Sequence, residues 1–119
     1  MYSAQVLDHF KNPRNAGELE NAAAQVECSN PACGDILQLA ARIANGRIVE
    51  ARFKARGCVT TIACGSLVTE MMLGKTPSEA RMIAAAAISE AMGSLPPATQ
   101  HASELAAEAC AALCQALLK

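Results

Sequence analysis

The chain has 119 residues, enough for one compact domain (1–119) with a real core but not for two of ordinary size. Hydrophobic residues make up 52% of it and charged residues 18%, which excludes a disordered chain, and ten basic against eleven acidic residues exclude a global electrostatic footprint for nucleic acid or an anionic membrane. The longest strongly apolar run, Met82 to Ile88, is far short of the roughly 18 residues of a membrane span.

The start, Met1-Tyr2-Ser3, reaches Asp8 and His9 within a few residues, without the basic start and apolar stretch of a signal peptide. A cytoplasmic protein is the expectation, with the six cysteines at 28, 33, 58, 64, 110 and 114 reduced rather than paired. Metal ligation, sulfur chemistry and packing then compete to explain them.

In chain order, Ser3 can cap a short helix whose Val6, Leu7 and Phe10 are spaced for one apolar face, and Asn12-Pro13 ends it. Residues 11 to 21 read as a loop, and a strand is expected within 22 to 29. A hairpin follows. Leu37, Leu39, Ala41 and Ile43 alternate before Asn45-Gly46, and Val49, Ala51, Phe53 and Ala55 alternate after it, with Glu50, Arg52, Lys54 and Arg56 on the other face. That pattern describes a sheet with one wet and one packed face.

From residue 60 the period becomes helical, with Cys64, Leu67, Val68, Met71 and Met72 on one face and Gly74 as the stop. Thr76-Pro77-Ser78-Glu79 is a capping-box start, and a short helix fits Ile88 to Met92 before Gly93. Leu95-Pro96-Pro97 breaks the chain ahead of an alanine-rich helix from about Ser103 to Leu118. The fold class is therefore α+β: a three-stranded antiparallel sheet with helices packed on one face.

Chemistry concentrates where elements meet. Cys33-Gly34-Asp35 occupies the turn before the hairpin, and Cys58 falls between the second hairpin strand and the next helix, where a helix N-terminus biases a thiol toward thiolate. The hairpin returns the chain, so both cysteines can sit at one end of the sheet. His101, at the start of the last helix, can turn toward the same end or remain a solvent-facing capping residue. Cys33, Asp35, Cys58 and His101 together offer soft, borderline and hard donors suited to zinc or iron. Cys64 is both part of an apolar stripe and near enough in sequence to join the set. Cys28 precedes the turn with its facing undecided, while alanine and leucine around Cys110 and Cys114 favour packing for that pair.

The blocks Val6-Leu7-Asp8-His9-Phe10, Asn12-Pro13-Arg14-Asn15, Pro31-Ala32-Cys33-Gly34-Asp35, Gly57-Cys58, Ser66-Leu67-Val68-Thr69-Glu70 and Leu95-Pro96-Pro97 with His101 span nearly the whole chain. In them it resembles the iron-sulfur cluster assembly scaffolds of the IscU and NifU N-terminal type. The resemblance implies an IscU/NifU-like fold and a labile iron-sulfur cluster, of 2Fe-2S type, or zinc in the isolated protein. It also implies Cys33, Cys58, Asp35 and His101 as ligands, a cysteine desulfurase as sulfur source, and acceptor or carrier proteins as recipients.

Relatives carry a third cysteine directly after that histidine, where this chain has Ala102. Cys64 is the candidate substitute. The lysine of the segment read by a dedicated Hsp70-type chaperone is also missing from Leu95-Pro96-Pro97-Ala98-Thr99, which weakens the case for that partner. A scaffold that is not an enzyme is the leading expectation. The alternatives are a zinc-bearing sulfur acceptor of the SufU kind, with sulfurtransferase-type activity, and a degenerate binding module that builds no cluster.

Overall fold

The computed structural model describes residues 2–118. Helix α1 (Ala4–Lys11) leads into a loop and then strands β1 (Ala24–Asn30), β2 (Asp35–Ala44) and β3 (Arg47–Arg56). Helices α2 (Val59–Met72), α3 (Pro77–Ala80) and α4 (Ala85–Ala91) follow, and a 3-10 turn (Pro97–Thr99) opens α5 (Gln100–Leu117). The strands form one antiparallel sheet in the order β1-β2-β3. One face is covered by α2 over β3 and β2 and by α5 over β1 and β2, which is the α+β architecture expected.

The hairpin turns where the sequence places it, with Asn45 at φ 55° and Gly46 at φ 77°, the paired positive values that match the twist of the flanking strands. The alternation after the turn is different from the expected one. Register shifts between Arg42 and Ile43, which pair with Glu50 and Ile48, and Val49 is the extra residue. Ile48 is therefore fully buried, and Val49 is 48% exposed. From Ala51 onward the expected inward face holds, with Ala51 and Phe53 in the core beside Leu37 and Leu39.

Helix α2 is enclosed on most sides, so its Thr60, Thr61, Ser66 and Thr69 are buried together with Cys64, Val68 and Met72, whereas Leu67 and Met71 are only half-buried. Gly65 lets it approach the sheet: a Cβ there would lie 2.7 Å from the Phe53 ring. The Thr76 capping box forms as read, Glu79 N–H donating to Thr76 Oγ1 at 3.1 Å and Thr76 N–H to Glu79 Oε1 at 2.9 Å. Helix α4 begins three residues before the expected Ile88, and α5 begins at Gln100 rather than near Ser103 because the 3-10 turn feeds directly into it.

Ser3 caps α1, its Oγ accepting from Val6 N–H at 3.0 Å. The face this helix buries is Val6 and His9; Phe10 stays 38% exposed. His9 Nδ1 lies 2.8 Å from Ser66 Oγ, and that oxygen also accepts the Arg14 N–H at 2.8 Å. The other ring nitrogen, Nε2, lies 3.6 Å from Glu70 Oε1.

Burial first, and the Arg14 charge second, hold the His9 pKa below its ordinary 6.5, against the opposing charges of Glu70 and Asp8. Protonation thus favours the unfolded chain. The stabilisation from neutral His9 is complete above pH 6.5 and is lost as pH falls from there through the lower folded value. Urea midpoints measured from pH 7.5 to 5.5 should fall more steeply for the wild-type protein than for His9→Gln; equal slopes would remove His9 from this role.

Candidate metal centre

Strand β1 ends at Asn30, whose side-chain oxygen accepts Ala32 N–H at 3.0 Å and whose carbonyl accepts Gly34 N–H at 2.7 Å. With Gly34 at φ 77°, this tight turn leaves Cys33 exposed at its tip and returns the chain into β2 at Asp35. Asp35 pairs with Asn30 across the sheet and is only 5% exposed.

At the far end of the hairpin, β3 stops at Arg56, and Gly57 carries the chain to Cys58, the half-buried N-cap residue of α2. Gly57 has φ 149°, and a Cβ on it would fall 2.3 Å from Asp35 Oδ1. Only glycine fits between the end of β3 and that carboxylate.

The donors converge on one oxygen. Asp35 Oδ2 accepts from Thr61 Oγ1 at 2.5 Å, lies 3.5 Å from Cys58 Sγ and lies 3.6 Å from His101 Nε2. Cys58 Sγ is also 3.3 Å from Thr61 Oγ1 and 3.9 Å from His101 Nε2. The second residue of α5, His101, is thereby turned toward the sheet end.

Donor atoms of Cys33, Asp35 and His101 lie within 4.8 Å of one another, and Cys58 stands against Asp35 and His101. A thiolate, a carboxylate and an imidazole at that spacing suit a borderline ion such as zinc or iron. Burial alone would raise the Asp35 carboxyl. Hydrogen bonds from Thr61, Cys58 and Cys33 and the nearby His101 outweigh it, so the pKa is held below 3.8 and the group is an anion at neutral pH.

The other cysteines lie elsewhere. Cys28 faces the helical layer opposite Leu37, and burial, then the charges of Glu108 and Glu27, push its thiol up. Cys64 is fully buried in the core, and burial, then the neighbouring Cys58, push it up to about 12. Cys110 and Cys114 are buried together. Cys110 donates toward Ala80 O at 3.4 Å, and its partner thiol and burial push it up. Ala102 is 1% exposed and contributes to the core.

Two residues of this centre were not legible as members: Thr61, which binds Asp35, and Gly57 as a space-maker. Spacing held a signal for the first, since Cys58 and Thr61 are three apart at a helix start and so share a face.

The NifU-like N-terminal domain model matches residues 1–117. The chain belongs to that family. It is 44% identical over 109 residues to the iron-sulfur cluster assembly scaffold protein IscU 1 of Archaeoglobus fulgidus, covering 92% of this chain and 71% of that one. To the scaffold protein IscU of Escherichia coli K12 it is 43% identical over 112 residues, covering 91% and 87%. The SufU structure of Fervidobacterium islandicum superposes with a TM-score of 0.82 at 24% identity over 95% of this chain and 96% of that one, which shows the shared fold.

Proposed function

We propose that this chain is a scaffold on which an iron-sulfur cluster is transiently assembled, from iron and sulfur delivered by a cysteine desulfurase, and then passed to acceptor proteins. The observation that carries the reading is the convergence of Cys33, Asp35 and His101 within 4.8 Å, with Cys58 beside them, in a member of the NifU-like N-terminal family. Cys33, Asp35, Cys58 and His101 are the proposed ligands. Four donors match a 2Fe-2S cluster, and the same set can hold zinc when no cluster is present.

Exposed Cys33 is the side on which cargo arrives, while half-buried Cys58, anchored at the head of α2, stays in place. Asp35 and His101 replace thiolates with harder donors, which weakens the hold on the cluster and suits release. No bond of a turned-over substrate needs to be made by the chain, so it acts as a scaffold rather than an enzyme. The exposed Cys33 thiol also favours a second reading, a zinc-bearing sulfur acceptor with sulfurtransferase-type activity. Ala102 supplies no donor atom, and Ala98-Thr99 after Leu95-Pro96-Pro97 gives a dedicated chaperone no lysine, so neither enters the proposal. No helix among the described residues is long and apolar enough to cross a membrane, and a cytoplasmic site of action is part of the proposal.

Anaerobic reconstitution with iron and sulfide tests the reading. The protein should acquire visible charge-transfer absorption that Cys33→Ser and Cys58→Ser abolish. Asp35→Ala should decay more slowly than wild type under air and chelator, because the most exchangeable ligand is gone. Binding of zinc but no cluster would favour the sulfur acceptor, and binding of neither would leave a degenerate module.

A further inference from the structure

Strand β1 is the open edge of the sheet. The edge of β3 is closed by the loop before β1, Gly17 N–H donating to Phe53 O and Phe53 N–H to Asn15 O, each at 2.9 Å. Among the described residues nothing pairs with the outer side of β1, which has β2 as its one neighbour. Every second residue of an antiparallel edge strand points its N–H and C=O away from the sheet. Exposed edges are ordinarily protected by charged side chains, above all lysine, by proline, by a bulge, by shortness or by a covering element, and β1 carries one such charge, Glu27. Ala24–Asn30 keeps regular register with β2 over all seven residues and has no lysine, proline or bulge.

The helical flank of this edge is acidic, whereas on the outer face Glu27 shares a cavity with Lys54 and Arg56. Glu27 is exposed at mid-strand on the outer face. On the helical side a cavity of about 220 Å³ at the Asn30 end is lined by Ser29, Asn30, Pro31, His101, Glu104 and Glu108. Glu27, Glu104 and Glu108 form no ion pair among the described residues. Nor does a cation lie near Glu104 and Glu108 in sequence, because Met82 to Leu118 contains no lysine or arginine. On β2 and β3, by contrast, Arg42 and Arg52 are paired with Glu50, and Lys54 with Glu18.

We propose that β1 receives an extended, lysine- or arginine-bearing segment of the cluster acceptor as a fourth strand, its cations meeting Glu104 and Glu108. The identity of the partner rests on the scaffold reading; the docking edge does not. Because β1 runs straight into the turn that carries Cys33, and the cavity is lined by His101, a strand seated there ends beside the metal centre. A second copy is the poorer occupant: antiparallel pairing of two β1 edges would set the unpaired glutamates of each against those of the other.

A fluorescein-labelled peptide of alternating lysine and valine is the probe, with anisotropy measured at low salt on the full chain. It should bind saturably, and N-methylation of alternate residues, which keeps its charge but removes strand pairing, should weaken it by at least roughly tenfold. The Glu104→Gln/Glu108→Gln protein should also bind it roughly tenfold more weakly, as expected for two exposed charge pairs, while still acquiring a cluster on reconstitution. Equal affinity for the methylated peptide, equal affinity for a glutamate-valine peptide, or a concentration-dependent dimer that excludes the probe would each overturn the proposal. Peptide binding by a protein that holds no cluster would instead sink the scaffold reading and leave the docking edge standing.

Discussion

Gly57→Ala should lose metal affinity by at least roughly tenfold and stability by about 1–3 kcal/mol, although no ligand is replaced. The new methyl would lie 2.3 Å from Asp35 Oδ1 and 2.4 Å from its Cγ, at a backbone φ of 149°. Asp35 cannot step aside freely, because Thr61 Oγ1 binds its other oxygen at 2.5 Å and its backbone is fixed at the start of β2. Either the carboxylate leaves the donor cluster or the end of β3 moves and takes Cys58 with it. Gly74→Ala separates the two contributions. It imposes a similar backbone penalty at φ 84°, but its Cβ would meet nothing within 4 Å, so it should cost stability and spare the metal. Zinc competition against a chromogenic chelator, paired with urea unfolding of both variants, measures the difference. Wild-type zinc affinity in a folded Gly57→Ala protein would show that Asp35 is not held against Gly57 as described.

Much of this architecture could be read in the sequence because it is written in local rules. The Asn45-Gly46 turn, the Ser3 and Thr76 caps and the switch from a two-residue to a helical period each depend on a few adjacent residues. The errors lie where tertiary contacts decide. Alternation after Gly46 pointed Val49 inward, but a bulge of one residue, invisible to a period-two count, buries Ile48 instead. In α1, burial passes through polar His9 rather than Phe10, because Ser66 on α2 offers a hydrogen-bonding partner that no hydropathy pattern records.

The centre follows the same division. Cys33, Asp35 and Cys58 could be placed at one sheet end because a hairpin must return, whereas the start of the last helix left His101 free to turn there or to face solvent. Thr61 and the space beneath Gly57 depend on how the head of α2 meets the start of β2, a contact between residues about 25 apart in sequence that spacing alone does not specify.

Cys64 is where these two kinds of reading meet, and exchanging its sulfur for oxygen should separate packing from ligation. The side chain is fully buried in the core cluster, and burial together with Cys58 raises its thiol to about 12, so the thiolate a metal requires is strongly disfavoured there. Cys64→Ser nearly preserves shape but puts a hydroxyl into an apolar setting, which should cost about 1–3 kcal/mol. Cys64→Ala loses one small buried group, at about 1 kcal/mol. Both proteins should reconstitute a cluster as fully as wild type while their urea midpoints fall. Cys58→Ser should behave in the opposite way, with the midpoint nearly unchanged, because its half-buried sulfur already sits among the polar atoms of Thr61, Asp35 and His101, and with the cluster lost. The two serine variants thus exchange effects, stability for one and metal for the other. A Cys64→Ser protein that unfolds at the wild-type midpoint yet holds no cluster would make Cys64 a ligand and overturn the four-donor centre of Cys33, Asp35, Cys58 and His101.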